Sequence, residues 1–130
     1  MRALVVTIST RAASGVYDDV SGPVLVQGLE QLGFEVAGPT VVPDGPEIES
    51  VLLGAVHDGF DVVLTTGGTG LTPNDVTPEH TARVITREAP GIAEAIRAAG
   101  IAKGVPTAAL SRGRAGLAGE TLIVNLPGSK

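Results

Sequence analysis

A glycine-rich segment at residues 65–79, with the sequence TTGGTGLTPNDVTPE, combines residue types that suit a phosphate group. Its three glycines allow an anion to approach the backbone closely. At its end, in Thr77-Pro78-Glu79, Thr77 is expected to cap a helix whose positive end favours negative charge. Asp75 adds a carboxylate within the same segment. We therefore predict an anion-binding loop that leads from a strand into a helix.

A second carboxylate, Asp44, follows another predicted strand in Val42-Pro43-Asp44-Gly45. Aspartate beside glycine or proline also serves ordinary turns, so each carboxylate alone has a structural interpretation. Mg²⁺ binds one or two carboxylates together with substrate phosphates, and phosphoryl-type transfer depends on this charge neutralisation rather than on a strong nucleophile. Because neighbouring strands lie about 4.8 Å apart, we predict that Asp44 and Asp75 stand roughly 5–10 Å apart and share a metal ion.

Segments of strand and helix character alternate along the chain and must position these residues. Apolar, β-branched runs predict strands over residues 3–8, 34–42, 61–64 and 121–124. Gly38-Pro39 interrupts the second of these, as in a bulge or an edge strand. Apolar residues at helical spacing predict helices over residues 22–32, 46–56, 77–86 and 90–100, and a short strand is expected near 108–110. The alternation predicts a three-layer α/β/α sandwich around a mostly parallel sheet.

Polar segments follow the predicted strands directly, and the carboxyl ends of parallel strands are where ligands bind in such folds. These segments are Ser9-Thr10-Arg11, Pro43-Asp44, residues 67–75 and residues 125–128. We expect them to converge in space although the first and the last are far apart in the chain. The sequence therefore predicts one ligand site assembled from four strand ends.

Composition limits the classes of function. A length of 130 residues predicts one domain, and 43% hydrophobic with only 2% aromatic residues predicts a core of aliphatic side chains. A net charge of −5 with nine scattered basic residues argues against a nucleic-acid partner. The absence of cysteine excludes disulfides and thiolate chemistry, and no apolar run is long enough for a membrane span. These features are compatible with a cytoplasmic location.

Several ordered motifs resemble one known family, the molybdopterin adenylyltransferases and their MoaB-type relatives in molybdenum-cofactor biosynthesis. The likeness covers nearly the whole chain. It rests on SGVYDD at 14–19, Ser21-Gly22-Pro23, Val42-Pro43-Asp44, residues 66–70 and 75–79, Pro90-Gly91, Leu110-Ser111-Arg112 and Asn125-Leu126-Pro127-Gly128. The resemblance implies an α/β fold and a single molybdopterin-binding domain over residues 1–130, without the final helix that family members usually have.

The resemblance also implies an activity, in which the molybdopterin phosphate attacks the α-phosphate of ATP in the presence of Mg²⁺. The products are adenylyl-molybdopterin and pyrophosphate. Asp44 and Asp75 match the family's two critical aspartates, as catalytic residues and as ligands of the metal. The positions that match nucleotide- and pterin-binding residues are Ser9, Gly67, Gly68, Thr69, Gly70 and Asn125. The family further implies a homo-oligomer, either a trimer or a hexamer.

Three positions depart from the family pattern and keep other functions open. Thr10 stands where many adenylyltransferases have Asp, Asn74 where Arg is common, and Gly100 where Ser is frequent. They favour, as the main alternative, a MoaB-type paralogue that binds molybdopterin with little or no adenylyl transfer. Two further alternatives are a dinucleotide-binding fragment, which lacks its glycine fingerprint, and the related domain of the longer molybdenum-insertion enzymes. Ser111-Arg112 suits either an anion contact or an exposed loop.

Overall fold

Six strands form one sheet in a computed structural model of the chain, in the order β2-β1-β3-β6-β5-β4. The strands are β1 (Arg2–Ile8), β2 (Glu35–Val42), β3 (Val62–Thr66), β4 (Arg87–Glu88), β5 (Ala115–Ala118) and β6 (Thr121–Leu126). The structure describes residues 1–15 and 18–128. Val16 and Tyr17 of the 14–19 motif, and the chain end at Ser129-Lys130, lie outside the described residues.

The four strands that carry the predicted ligand segments are parallel, which confirms the mostly parallel sheet. β1 pairs with β2 on one side and with β3 on the other, and β3 pairs with β6. β5 runs antiparallel to β6, and β4 runs antiparallel to β5. The interruption expected at Gly38-Pro39 is also confirmed. β2 is an edge strand, and its register against β1 shifts between Leu4 and Val6.

Helices cover both faces of the sheet, which confirms the three-layer architecture. They are α1 (Thr10–Ala13), α2 (Ser21–Gln31), α3 (Glu47–His57), α4 (Thr77–Ala82), α5 (Pro90–Ala102) and a 3₁₀ helix over Pro106–Leu110. Leu4 and Val6 of β1 share one buried cluster with Leu52 of α3, whereas Val5 shares the other with Leu29 of α2. The alternation follows from the two-residue period of a strand. Among the described residues, no helix has both the length and the apolarity to cross a membrane.

After β3, two regions differ from the predicted elements. The helix expected over residues 77–86 ends at Ala82, because the chain then turns toward the sheet, where the Thr86 N–H donates to Leu117 O at 2.8 Å. The strand expected near residues 108–110 is wrong, since these residues belong to the 3₁₀ helix. The strand of this region is β5, whose Ala-Gly-Leu-Ala sequence has little strand propensity. Pairing with β6 and β4 on its two sides makes it a strand.

The parallel strands β1 and β3 lie where the sheet changes the side on which the chain adds strands. From β1 the chain continues to β2 on one side, and from β3 the sheet extends to β6 on the other. A topological switch point of this kind leaves a crevice at the carboxyl ends of the two strands. Ser9 follows β1 and Gly67 follows β3, so two of the predicted ligand segments begin at this crevice.

Candidate functional site

The glycine loop, defined here as residues 67–70, packs tightly against the end of β1. Gly67 has a φ of +104°, and a Cβ placed on it would clash with the carbonyl oxygen of Ile8. Gly68 has a φ of +69°, and its Cβ would clash with Thr77 Oγ1. Side chains are rarely compatible with such φ values, and neither position has room for one. These two glycines therefore allow the loop backbone to enter the crevice between β1 and β3.

Thr77 fixes the glycine loop to the start of α4. Its hydroxyl donates to Gly67 O at 3.0 Å, and its N–H donates to Gly68 O at 3.1 Å. The prediction that Thr77 caps the helix is wrong, because Val76 occupies the cap position and Thr77 is the first helical residue. The buried Thr77 hydroxyl instead bonds to the nearest loop carbonyl.

Thr10 holds Asp44 at the end of β2. Asp44 Oδ2 accepts hydrogen bonds from Thr10 Oγ1 at 3.0 Å and from the Thr10 N–H at 3.4 Å. In return, the Asp44 N–H donates to Thr10 Oγ1 at 3.1 Å. Asp44 Oδ1 lies 2.9 Å from a Cβ placed on Gly68, so the carboxylate faces the glycine loop. Ser9, the preceding residue, caps α1 by accepting from the Ala12 N–H at 3.2 Å.

Asp75 lies in a tight turn beside the same loop. Its Oδ2 accepts from the Thr72 N–H at 3.0 Å and from Thr72 Oγ1 at 2.8 Å, and the Asp75 N–H donates to Thr72 O at 3.0 Å. Asp75 therefore stabilises a turn, as the structural interpretation of this aspartate predicted. Asp75 Oδ2 also lies 2.8 Å from a Cβ placed on Gly70. The two carboxylates thus flank Gly68 and Gly70, whose Cα atoms are at most about 7 Å apart.

The carboxylates beside the glycine loop form a donor set that suits a hard divalent cation. In the part of the chain that the structure describes, no three Asp, Glu or His side chains are grouped so as to hold a metal ion alone. Mg²⁺ usually takes one or two carboxylates and keeps waters and substrate phosphates as its other ligands. Asp44 and Asp75 are half-buried and provide that number. The predicted distance of 5–10 Å between them stays a prediction.

Asn125 is buried beneath the crevice. Its amide nitrogen donates to Thr65 Oγ1 at 3.0 Å and to Thr81 Oγ1 at 3.1 Å, and its Oδ1 accepts from the Arg114 N–H at 3.0 Å. Both ends of the amide are therefore bonded to the protein, and the residue joins β6 to β3 and α4. Among the predicted ligand-binding residues, Asn125 is the one that the structure places away from the cavities.

Two cavities open at the strand ends and share a wall. The larger, of about 1250 Å³, lies between α2, α5 and the glycine loop, and both Asp44 and Asp75 line it. The smaller, of about 610 Å³, lies beside Asn74 and His80. The residues that line both cavities are Ser9, Arg11 and Asp44. Two ligands, or two parts of one ligand, can therefore meet beside the Asp44 carboxylate.

His80 lines the smaller cavity and pairs with Glu49, and the sequence patterns assigned neither residue to the site. His80 Nδ1 lies 3.0 Å from Glu49 Oε1, and Arg83 Nη1 lies 3.5 Å from the same oxygen. The hydrogen bond with His80 is the main cause that lowers the pKa of Glu49. The pair spans 31 residues and joins α4 to α3, so no local spacing in the sequence signals it.

Arg112 lies across the glycine loop, and its guanidinium is bonded to protein groups. Nη1 donates to Glu79 Oε2 at 2.6 Å, and this hydrogen bond is the main cause that lowers the pKa of Glu79. The preceding residue, Ser111, donates from Oγ to the buried Thr69 Oγ1 at 3.2 Å. Of the two interpretations open for Ser111-Arg112, an exposed loop does not describe these half-buried residues, and an anion contact stays a prediction, with Ser111 on the wall of the larger cavity. The segment contacts the glycine loop itself.

The fold and the crevice define an α/β protein whose ligand site lies at the switch point of a mostly parallel sheet. A family model described as "Probable molybdopterin binding domain" matches residues 4–130. The chain therefore belongs to this family of molybdopterin-binding domains, as its motifs predicted.

Similar proteins carry names from molybdenum-cofactor biosynthesis. A molybdopterin adenylyltransferase from Haemophilus influenzae is 42% identical over 127 residues, which cover 95% of this chain and 64% of that protein. A molybdenum cofactor biosynthesis bifunctional protein from Chlorobaculum tepidum is 37% identical over 129 residues, and the chain spans 41% of the length of that protein. The chain thus spans less than two thirds of these relatives.

Solved structures confirm the fold. One, described as "anomalous substructure of MogA", has a TM-score of 0.96 and 52% identity, covering 99% of this chain and 85% of that one. A molybdopterin biosynthesis enzyme MoaB from Thermus thermophilus has a TM-score of 0.86 and 46% identity, covering 98% of this chain and 81% of that one. Both halves of the predicted family, the Mog and the MoaB type, therefore share this architecture.

Proposed function

We propose that this chain transfers the adenylyl group of ATP to molybdopterin and releases pyrophosphate. The observation that carries the proposal is the position of Asp44 and Asp75, which face neighbouring glycines of one loop at a crevice that two cavities share. Family membership and the identity to a molybdopterin adenylyltransferase support the same reaction. The proposed substrates are ATP and molybdopterin, with Mg²⁺ as the cofactor.

In the proposed reaction, an oxygen of the molybdopterin phosphate attacks the α-phosphorus of ATP. The bond between the α-phosphorus and the oxygen that bridges to the β-phosphorus breaks, and pyrophosphate leaves with that electron pair. A phosphate monoester is largely ionised at neutral pH, so no strong protein base is needed. The protein has to hold two anions in line and stabilise the charge that develops between them.

The side chains of the crevice provide this positioning. Asp44 and Asp75 would hold Mg²⁺, which when bound neutralises charge on the phosphates. The Thr10 hydroxyl and the Thr72 turn keep the two carboxylates in place. The glycine loop lines the larger cavity, so a phosphate bound there would meet the loop backbone at close range. In this proposal Ser9 and the loop residues 67–70 contact the substrates.

The two cavities offer space for two substrates that meet at Asp44. Beside the glycine loop, the larger cavity includes apolar side chains of Val24, Leu25 and Leu110, which suit a heterocyclic ring that carries a phosphate. The smaller cavity has the cation of Arg11 on a mostly polar wall, which suits further phosphate groups. The shared wall would bring the reacting phosphates together beside the proposed metal ligand.

The main alternative is a MoaB-type protein that binds molybdopterin without adenylyl transfer. The likeness to the Thermus MoaB fits it, as does neutral Asn74 on the wall of the smaller cavity, where many family members have a cation. The other two departures favour it less. Thr10 keeps Asp44 in place, and Gly100 lies so close to the 3₁₀ helix that a Cβ on it would be 2.6 Å from Ala108 Cβ.

Product analysis separates the two functions. Purified protein is incubated with ATP, MgCl₂ and molybdopterin, and adenylyl-molybdopterin and pyrophosphate are quantified by mass spectrometry and a coupled assay. We expect both products in equal amounts, and neither product when molybdopterin is omitted. Molybdopterin binding without either product would establish the alternative, and pyrophosphate formed without molybdopterin would refute the proposed acceptor.

We also propose that the chain forms a homo-trimer, or a hexamer, in the cytoplasm. Exposed apolar side chains outside the two cavities support an interface, because Leu32 is 76% exposed and Leu53 is 51% exposed. Light scattering coupled to size exclusion would then give three or six times the mass of one chain. A monomer at micromolar concentration would contradict this assembly.

A further inference from the structure

We propose that Arg112 is a positioning residue for the proposed adenylyl transfer, acting through the glycine loop and Asp75. The inference rests on the proposed function, because it concerns the residues that hold the proposed metal ligand. The inference is argued from hydrogen bonds that join Arg112 to the glycine loop, to the Asp75 turn and to Glu79 in α4. Different atoms of Arg112 make these bonds.

Arg112 bonds to the backbone on both sides of the Asp75 turn. Its Nε donates to Gly70 O at 2.7 Å, and its Nη2 donates to Asp75 O at 2.7 Å. Its own N–H donates to Thr69 O at 2.8 Å. Residues 71–74 between these carbonyls are exposed, so the turn has little packing of its own. Arg112 thus fixes the two ends of a segment whose centre is solvated.

Arg112 is itself held at its guanidinium and at the backbone on either side of it. On one side, Nη1 donates to Glu79 Oε2 in the first turn of α4. On the other, Arg97 of α5 donates from Nη1 to Ser111 O at 3.3 Å and to Gly113 O at 3.2 Å, which fixes the backbone around Arg112. The loop is therefore connected through Arg112 to both α4 and α5, the helices that border it.

Arginine is the side chain that suits this position. Its planar group presents several N–H donors in a fixed geometry, whereas lysine has one flexible ammonium. Gly70 O, Asp75 O and the Glu79 carboxylate are three acceptors in different directions, each bonded to a different nitrogen of Arg112. Lysine would reach one or two of them and leave the others without this donor.

Loss of the Arg112 contacts is expected to lower the rate of the reaction, because the Asp75 carboxylate moves with its turn. Both the Asp75 N–H and its Oδ2 are bonded to Thr72, which lies within the segment that Arg112 closes. A displacement of about 1 Å at a reacting centre can cost about 100-fold in rate. We therefore expect Arg112→Ala to lower kcat by about 100-fold and to raise the Mg²⁺ concentration needed for half-maximal rate.

The test compares Arg112→Ala and Arg112→Lys with Arg114→Ala as the matched control. Arg114 lies two residues away in the same segment, and its side chain pairs with Glu88 at the surface. We expect Arg114→Ala to keep the wild-type kcat and Arg112→Lys to fall between the other two variants. Added guanidinium at millimolar concentration should restore part of the kcat of Arg112→Ala, which a general loss of folding would not allow.

Hydrogen exchange provides a readout that does not depend on activity. Backbone amides of residues 70–76 should exchange faster in Arg112→Ala than in Arg114→Ala, while those of β1 and β3 stay protected in both. Wild-type kcat and Mg²⁺ dependence in Arg112→Ala, or unchanged exchange of residues 70–76, would overturn the positioning role. If the wild-type protein released no pyrophosphate while this exchange difference appeared, the proposed function would fail and the structural part of the inference would stand.

Discussion

The two proposed metal ligands, Asp44 and Asp75, face neighbouring glycines of one loop but are held in different ways. Asp44 is held by Thr10, which is 34 residues away in the chain and follows a different strand. Asp75 is held by Thr72, three residues earlier in the same turn. The position of Asp44 is therefore a property of the sheet, and that of Asp75 is a property of a short loop.

This difference sets what each carboxylate depends on. Ile8 and Val42, the residues that end β1 and β2, are paired in the parallel ladder, and the Ser9 N–H continues the pairing by donating to Val42 O at 2.9 Å. Asp44 and Thr10 follow directly from these anchored ends. Asp75 has no strand beneath it and needs the Arg112 contacts to fix the ends of its turn. The candidate site therefore combines one carboxylate fixed by the sheet, Asp44, with one carboxylate on a loop that Arg112 holds, Asp75.

The largest effect is expected from Asp75→Asn, which should lower pyrophosphate release by more than about 100-fold. Removing the charge weakens the proposed metal site, but the amide oxygen can still accept from Thr72, so the turn should persist. Thermal unfolding should shift by only a few degrees, since a surface substitution that keeps its hydrogen bonds costs about 0.5 kcal/mol. Wild-type turnover would remove Asp75 from the mechanism, and an unfolded variant would show that its role is structural.

Thr10→Val tests the support of Asp44 across the sheet and should have a smaller effect than Asp75→Asn. The substitution removes a hydroxyl that both donates to Asp44 Oδ2 and accepts from the Asp44 N–H. Each lost hydrogen bond is worth about 1 kcal/mol and two are lost, so we expect about a 30-fold loss of kcat. Thr10→Ser keeps the hydroxyl and should retain most activity. Equal activity in the Val and Ser variants would show that Asp44 does not need this hydroxyl.

Thr72→Val tests the local support of Asp75 and should cost less than Thr10→Val. The Thr72 N–H continues to donate to Asp75 Oδ2 at 3.0 Å, and Arg112 continues to bond to Asp75 O. We expect a two- to threefold loss of kcat, about 0.5 kcal/mol, measured with saturating substrates. A loss as large as that of Thr10→Val would contradict the view that the Thr72 N–H and Arg112 hold Asp75 without the Thr72 hydroxyl.

The smallest effect concerns the pH dependence of the Arg112–Glu79 pair. The hydrogen bond from Arg112 lowers the pKa of Glu79 from an ordinary value of 4.5, so the pair stabilises the fold at pH values above that. This contribution is lost as pH falls from 4.5 through the lowered pKa of the folded state. Because the Glu79 side chain is 56% exposed, solvent screening keeps the contribution small.

Urea unfolding at several pH values measures this contribution. The stability difference between the wild type and Glu79→Gln should narrow as the pH is lowered from neutral to acidic values. The same series with Glu88→Gln, which breaks the surface pair with Arg114, provides the control. A difference that widened toward acidic pH would show that the sign of the Glu79 shift is wrong.

The sequence predicted the sheet and the position of its crevice because both follow from strong local patterns. The apolar, β-branched residues of β1 and β3 fit buried parallel strands, and the polar residues after them are placed by topology alone. β5 escaped prediction because Ala115–Ala118 has no such pattern and becomes a strand through its neighbours.

The supports of the site were not predictable because they are side-chain contacts over long sequence separations. Thr10 reads as a departure from the family, yet it bonds to Asp44 across 34 residues. Arg112 reads as a loop residue or an anion contact, yet it bonds to the backbone of residue 75 across 37 residues. The polar side chain of Asn125 follows a strand, which predicts a ligand contact. Its hydrogen bonds to Thr65, Thr81 and the Arg114 N–H instead show that it supports the fold beneath the site.

A double-mutant cycle on the two carboxylates tests the central claim most directly. Single-turnover formation of adenylyl-molybdopterin is measured for the wild type, Asp44→Asn, Asp75→Asn and the double variant, each shown to be folded. If the differently held carboxylates act on one phosphate centre, the double variant should be no slower than the slower single variant, within about threefold. Losses that multiply in the double variant would show that Asp44 and Asp75 act independently and would contradict a single shared site.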